Sequence, residues 1–287
     1  MCIRDRVSGY PGSPLGGLDI ELDRNSKLLE TEGIIFQPAI NEELAATAVW
    51  GSQHIHLYDE PEIDGVFGLW YGKGPGLDRA LDAVRHANMG GVSKQGGMVL
   101  AVGDDATGKS STIAYQSEQT FIAAGVPFFY PRSTHDIISM GLQAFALSRM
   151  AGCCVGMKIV VDTADTSSVI DLETIRPTHF NDGHNLIKKD IGPVHIGRHD
   201  PALIREDRLY NLRLPAVRKF QRTQNINTPL HPKPSKTKLG IMAVGKTLYE
   251  VKDALLSLGI SDPTKSGIGL FSIVMPFLIS IPLSLLL

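Results

Sequence analysis

Apolar and polar residues alternate along this chain in two rhythms, and the switch between them recurs for most of its length. Short apolar runs bounded by Gly, Pro or Asp read as buried strands, and the longer stretches between them carry apolar residues at helical spacing. Strands are expected over 7–10, 34–38, 64–70, 97–102, 128–131 and 155–161, and helices over 18–29, 42–54, 77–89, 115–124 and 134–150. A strand-then-helix repeat of this kind builds a doubly wound parallel α/β sheet, with ligands at the carboxyl ends of its strands. A Pro-Gly turn after the first strand, a glycine-rich loop over 71–76 and the turn Gly103-Asp104-Asp105 all fall at such ends.

The pattern weakens after about Thr178. Residues 179–238 are rich in His, Pro, Arg and Asn, with one convincing helix near 203–224, and read as a connector packed on the surface of a domain spanning 7–178. The four histidines between His179 and His199 have no fixed ligand spacing, which speaks against a metal site. A second α/β unit then begins: a strand at 239–245, a helix at 247–258 and a strand from 268. Two strands and one helix do not close a core, so residues 239–287 read as a truncated second domain with an apolar tail. Residues 1–6 are short and charged and read as a non-native extension. Residues 268–287 carry no charge and approach the length of a membrane span. Pro276 and Pro282 interrupt them, so the expectation is a buried strand and a truncated tail rather than an anchor.

Composition narrows the classes. At 287 residues and 43 % hydrophobic content the chain can bury one large core or two smaller ones. A formal net charge of −2 leaves no basic excess for nucleic acid. The cysteines are Cys2, Cys153 and Cys154, an odd count with an adjacent pair, which is a reduced, cytoplasmic pattern. No Cys-x-x-Cys array is available for zinc or an iron–sulfur cluster, so any electron-transfer centre lies outside this sequence.

Two constellations compete for the chemistry. Gly103-Asp104-Asp105-Ala106-Thr107-Gly108-Lys109-Ser110 satisfies the phosphate-loop pattern letter for letter, after a strand and before a helix. That loop works by turning backbone N–H groups toward phosphate oxygens. Asp104 and Asp105 would set two negative charges beside the anion, each costing roughly 3 kcal/mol per phosphate charge at about 5 Å and an effective dielectric near 20. The second constellation joins Gly9-Tyr10-Pro11-Gly12-Ser13-Pro14, a turn that cannot become helix, to Asn41-Glu42-Glu43-Leu44-Ala45-Ala46-Thr47-Ala48-Val49-Trp50-Gly51. The latter puts two carboxylates at the start of a thin, small-residue helix, where the macrodipole favours negative charge. Taken alone, such a Glu more often just stabilises its helix; held against a flat heterocycle, it can take or hold a proton.

The larger pattern favours the second. These two segments occur in one order with Phe67-Gly68-Leu69-Trp70-Tyr71-Gly72-Lys73-Gly74-Pro75-Gly76, His86-Ala87-Asn88-Met89, Gly103-Asp104-Asp105 with Lys109-Ser110-Ser111-Thr112, Gln116-Ser117-Glu118, Ala146-Leu147-Ser148-Arg149 and Gly152-Cys153-Cys154-Val155-Gly156. Together, over residues 7–276, they resemble the amino-terminal part of the indolepyruvate:ferredoxin oxidoreductases, thiamine diphosphate enzymes of the 2-oxoacid oxidoreductase family. The resemblance implies that 7–178 is a pyrimidine-type thiamine diphosphate-binding domain. It assigns the catalytic carboxylate to Glu42, with Glu43 second to it, the substrate contact to Ser13, and cofactor contacts to Gly12, Glu42, Lys73, Gly74 and Gly76. It makes the phosphate-loop match accidental, created by Gly108. It also implies oxidation of an aryl 2-oxoacid to its acyl-coenzyme A with ferredoxin as electron acceptor, in a dimer or with a second domain supplying the diphosphate site. No Gly-Asp-Gly magnesium turn is present in a suitable place: Gly103-Asp104-Asp105 fails at its third position, and Asn181-Asp182-Gly183 lies in the connector. Mg2+ and [4Fe-4S] clusters are therefore expected in missing regions or partner chains, and the chain alone is expected not to turn over substrate.

Overall fold

A computed structural model describes residues 3–109, 111–175, 187–188, 190–231 and 236–277. Residues 1–2, Ser110, His179, His184, Asn181-Asp182-Gly183 and the tail from 278 onward lie outside the described residues. Six parallel strands form the main sheet in the order β2-β1-β3-β4-β6-β5. They are β1 (Ile3–Gly9), β2 (Ile34–Phe36), β3 (Gly65–Lys73), β4 (Gly97–Asp104), β5 (Phe128–Phe129) and β6 (Cys154–Val160). The doubly wound parallel sheet anticipated above is thus present. Its first strand starts earlier than expected, since Ile3 to Arg6 already pair with β3.

Alternation along the strands sends side chains to two cores. On one face Val99 and Ala101 of β4 and Val155, Met157 and Ile159 of β6 meet α7 (Thr134–Ala151). On the other, Trp70, Met98, Leu100 and Val102 meet α3 (Glu42–Gly51), α4 (Gly74–Arg79), α5 (Leu81–Gly90) and α6 (Glu118–Ala123). Ala45, Ala46 and Val49 of α3 are buried to within 1 %, so the small residues do let this helix sit close on the sheet. The helix expected over 18–29 is two, α1 (Leu18–Arg24) and α2 (Ser26–Thr31), meeting at Asn25.

Residues 190–231 do more than pass over the surface. Helix α8 (Ala202–Arg208), a π-helical turn (Leu209–Arg213) and α9 (Leu214–Thr223) bury Leu209, Leu214, Val217 and Phe220, the last two within the α7 core. Pro215 has no N–H for an i→i−4 bond, and the wide turn lies directly before it. Buried Arg213 donates to the carbonyls of Asn88, Met89 and Gly90 at the end of α5, at 3.0, 2.9 and 3.0 Å, and to Val194 O at 2.5 Å. The sequence reading placed a helix here, near 203–224, but took the stretch as a surface connector; the structure instead buries one face of it, with Arg213 among its inward contacts.

The second unit holds β7 (Leu239–Val244) and β8 (Ile268–Ile273) in parallel, with α10 (Thr247–Ser257) between them in sequence. A strand not anticipated, Thr228–Pro229, pairs antiparallel on β8. The unit is joined to the main sheet: Tyr130 N donates to Val274 O at 2.7 Å, and Asn227 exchanges bonds with Val274 and Met275 at 2.9–3.0 Å. Gly245, at φ +54, lies where a Cβ would come within 2.3 Å of the Tyr130 ring, so this contact admits only glycine. Among the described residues no helix is long and apolar enough to cross a membrane.

Candidate functional site

Strand order reverses direction at β1, with β2 on one side and β3 on the other, which makes the carboxyl ends of these strands the switch point where doubly wound sheets bind ligands. Ser8 and Gly9 pair with Trp70 and Tyr71, and Ala39 N donates to Gly9 O at 3.0 Å, so the three carboxyl ends stay level. From β1 the chain enters the Pro-Gly turn, which contains a cis Ser13–Pro14 peptide. Pro14 and Leu15 cross the end of β4: a Cβ on Gly103 would lie 2.7 and 2.9 Å from them. Gly12 rests on the aliphatic stem of Lys73, its missing Cβ 3.1–3.3 Å away.

From β2 the chain enters α3. Asn41 caps the helix by accepting from Leu44 N at 2.9 Å, which makes Glu42 its first residue. The indole N–H of buried Trp70 donates to Glu42 O at 3.0 Å and ties the helix start to β3. Glu42 is buried at 5 % exposure, whereas Glu43 faces solvent. Among the described residues, the Glu42 carboxylate meets one cation, exposed Arg79, at 3.7 Å.

From β3 the chain goes straight into a helix. The glycine-rich loop expected over 71–76 does not form: the strand runs to Lys73 and α4 starts at Gly74, with Pro75 in its first turn, where a missing N–H costs nothing. The consequence is close packing. A Cβ on Gly76 would lie 2.8 Å from Glu42 Oε1, and one on Gly74 would lie 1.9 Å from the Tyr115 ring. Tyr115 in turn donates to Asp78 at 2.7 Å, clasping α4 from the side away from Glu42. The structure therefore brings Gly76 to Glu42 and Gly12 to Lys73. Ser13, half-buried, shares the turn with Gly12. Arg79, Trp70 and Tyr115 escaped the sequence reading. Arg79 follows Gly76 at helical spacing and was open to inference, but nothing near Tyr115 signals its role.

The phosphate-loop reading fails on hydrogen bonds. The Asp105 carboxylate accepts from Lys109 N at 2.9 Å and from Ser111 N at 2.8 Å, so the loop satisfies its own amides with its own anion. No helix follows directly either, since α6 begins at Glu118. Asp104 is engaged through one of its oxygens, Oδ2, while Oδ1 is buried without a hydrogen-bond partner among the described residues. It is fully buried, accepts from Ser117 N and Oγ at 2.8 Å each, and pairs with buried Lys158 at 3.3 Å. Lys158 also pairs with Glu118 and lies 4.9 Å from the centre of the Tyr130 ring. Burial pushes the Asp104 carboxyl above its ordinary range, against the pull of Lys158 and Ser117. Among the described residues no group of three or more His, Cys, Asp or Glu is arranged to hold a metal ion.

Fold and site together define a doubly wound parallel α/β domain with one buried carboxylate at its switch point. The chain is 25 % identical over 258 residues to the indolepyruvate oxidoreductase subunit IorA of Methanothermobacter marburgensis, a match covering 90 % of this chain and 38 % of that protein. The chain thus spans under two fifths of the length of that curated relative. No family model matches it. Among solved structures, benzoylformate decarboxylase from Polynucleobacter necessarius superposes with a TM-score of 0.38 at 13 % identity, covering 86 % of this chain and 37 % of that one.

Proposed function

We propose that this chain is the pyrimidine-binding part of a thiamine diphosphate-dependent oxidoreductase that oxidatively decarboxylates an aryl 2-oxoacid such as indolepyruvate, forming the acyl-coenzyme A and reducing ferredoxin. The observation that carries the proposal is Glu42: a buried carboxylate at the first position of a capped helix, with α4 held against it by a glycine. The residues fit the cofactor's pyrimidine half, because the carboxylate keeps acceptor capacity that its one ion-pair partner at 3.7 Å does not use up. The similarity to IorA over 90 % of the chain supports the same reading.

Bound thiamine diphosphate supplies the carbanion chemistry at the 2-oxo carbon. The task left to this chain is to bind, orient and move a proton. Glu42 holds a proton against a ring nitrogen of the pyrimidine and passes it on or takes it back. Gly76 and Gly74 let α4 approach closely enough to wall that site, and Gly12 with Lys73 forms the opposite rim. The Ser13 hydroxyl and the turn amides orient the substrate carboxylate. The diphosphate and its Mg2+ belong to another domain or chain, as do the iron–sulfur clusters. Ile40 and Leu44, 82 % and 49 % exposed beside Glu42, suit an apolar surface that such a domain covers. A cytoplasmic enzyme of more than one subunit follows from this reading.

The test is Glu42→Gln in the assembled oxidoreductase. Oxoacid-dependent dye reduction is expected to disappear while thiamine diphosphate stays bound. Activity equal to that of the parent enzyme refutes the assignment.

A further inference from the structure

A second concavity lies at the other end of α3, near the amino ends of the strands. Its principal walls are Trp50, His54, Tyr58, Arg198, His199 and Arg205, around a cleft of about 490 Å³. Among the described residues no carboxylate lines it. Arg198 is partly compensated, by the Leu57 carbonyl and by Asp59 at 3.3 Å. Arg205 has no carboxylate within ion-pair reach among the described residues, although its charge is felt at His54. Burial, then the charges of His56 and Arg205, hold the His54 imidazole below its ordinary pKa, and the charge of Arg205 is also felt at Asp200.

The aromatic wall is fixed in place. The Trp50 indole N–H donates to Gly91 O at 3.2 Å, its ring meets His54 edge-on at 4.7 Å, and a Cβ on Gly90 would come within 2.8 Å of it. Tyr58, 67 % exposed, flanks the opening, and Leu57 and Ile196 give the cleft an apolar side. The fixed indole of Trp50 and the exposed phenol of Tyr58 beside two arginines match a ligand made of a flat ring and an anionic group. Two guanidinium groups suit a multiply charged phosphate better than a single carboxylate, and the volume lies within the range of small-molecule sites.

From this geometry we propose that the cleft between the end of α3 and residues 196–205 binds a nucleoside phosphate, with the base against Trp50 and Tyr58 and the phosphates between Arg198 and Arg205. This site is separate from Glu42 and from the Gly103–Lys109 turn, and it stands whether or not the thiamine reading holds.

Titration of the chain with ADP tests it by calorimetry and tryptophan fluorescence. The chain has two tryptophans, and Trp70 is fully buried, so a change on binding reports Trp50. Saturable binding is expected, weakened about tenfold or more in Arg205→Gln and in Tyr58→Ala. Both positions are solvent-accessible, and circular dichroism checks that the variants fold. Adenosine and pyrophosphate, each carrying half of the chemistry, should bind more weakly than ADP. Failure of ADP to saturate by about 5 mM, unchanged affinity in Arg205→Gln, or tighter binding of indole-3-acetate than of ADP each overturns the proposal.

Discussion

Among the described residues Arg213 forms no ion pair with a carboxylate, and replacing it by methionine isolates what such a residue contributes. Its guanidinium satisfies three carbonyls at the end of α5 and Val194 O from the neighbouring strand-like segment. Methionine keeps the apolar stem and leaves four acceptors without donors, each worth about 1–3 kcal/mol when buried and unpaired. It also removes a cation from a helix C-terminus, worth up to about 2 kcal/mol in a partly buried setting. Against this, burying the guanidinium is itself costly: desolvation draws its pKa down to about 10, a penalty of roughly 3 kcal/mol that methionine escapes. These ranges sum to a loss of about 1–11 kcal/mol for Arg213→Met, and a value near the middle, about 5 kcal/mol, lowers Tm in a chain of this size by roughly 10–20 °C. Urea denaturation followed by far-UV circular dichroism measures it. Arg213→Lys keeps the charge but not the planar fork, and is expected to lose about half as much. An Arg213→Met variant within about 1 kcal/mol of the parent chain would falsify the reasoning, because the carbonyls would then be finding other partners.

Three further outcomes follow from the geometry. Gly76→Ala should displace the flexible Glu42 side chain and cost activity about a hundredfold with little change in Tm. Gly74→Ala drives a Cβ into the rigid Tyr115 ring and should cost about 1–3 kcal/mol of stability, so similar Tm values for the two variants would contradict this packing. Cys153 and Cys154 are fully buried, with burial pushing the Cys153 thiol up to about 12 and the Cys154 thiol higher still. Iodoacetamide at pH 8 should leave both unmodified in the native chain and label both in urea, read by peptide mass spectrometry. Burial raises the Asp200 carboxyl, but bonds to Arg208 and the Gly197 N–H outweigh that and hold it below its ordinary 3.8. Its contribution is therefore present above about pH 4 and lost as pH falls through the lowered value. Asp200→Asn, which strands buried Arg208, should cost about 3–5 kcal/mol at pH 7 and progressively less below pH 4; a cost that is flat with pH counts against the pair.

The sheet was legible because its signal is dense: β4 is buried at every position, and its run of Met98 to Val102 has no other reading in a chain of strand-helix repeats. Glu42 was legible for a similar reason, since an asparagine cap and a stripe of alanines fix both where the helix begins and how close it can lie. The phosphate-loop match was set aside from the sequence on its two carboxylates, and the hydrogen bonds agree: a one-letter pattern records glycine and lysine but not where the amides point. A carboxylate two positions into the motif was free to take them. The helix near 203–224 was legible but its burial was not: besides Leu209, Leu214, Val217 and Phe220, its inward contacts include Arg208 and Arg213, whose guanidinium groups reach backbone carbonyls and read from sequence as solvent-facing. Tyr115 was invisible for a plainer reason: its partner Gly74 is far off in sequence, and the contact exists only after the sheet has formed.

Stability offers a way to tell a carboxylate kept for the fold from one kept for chemistry. Asp200 and Asp104 each sit in a bonded cluster with a buried cation, so neutralising either strands a charge. Glu42 is buried as deeply, yet its one cation, Arg79, is 61 % exposed and 3.7 Å away, a surface pair worth about 0–1 kcal/mol. The helix start adds about 0.3–1 kcal/mol for its negative charge. Those gains are smaller than the several kcal/mol that removing a carboxylate from water costs. A neutral isostere should therefore leave the fold unharmed: Glu42→Gln is expected to keep or raise Tm while Asp200→Asn lowers it. If Glu42→Gln instead loses more than about 2 kcal/mol, the carboxylate is part of the scaffold, and its position at the switch point no longer argues for catalysis.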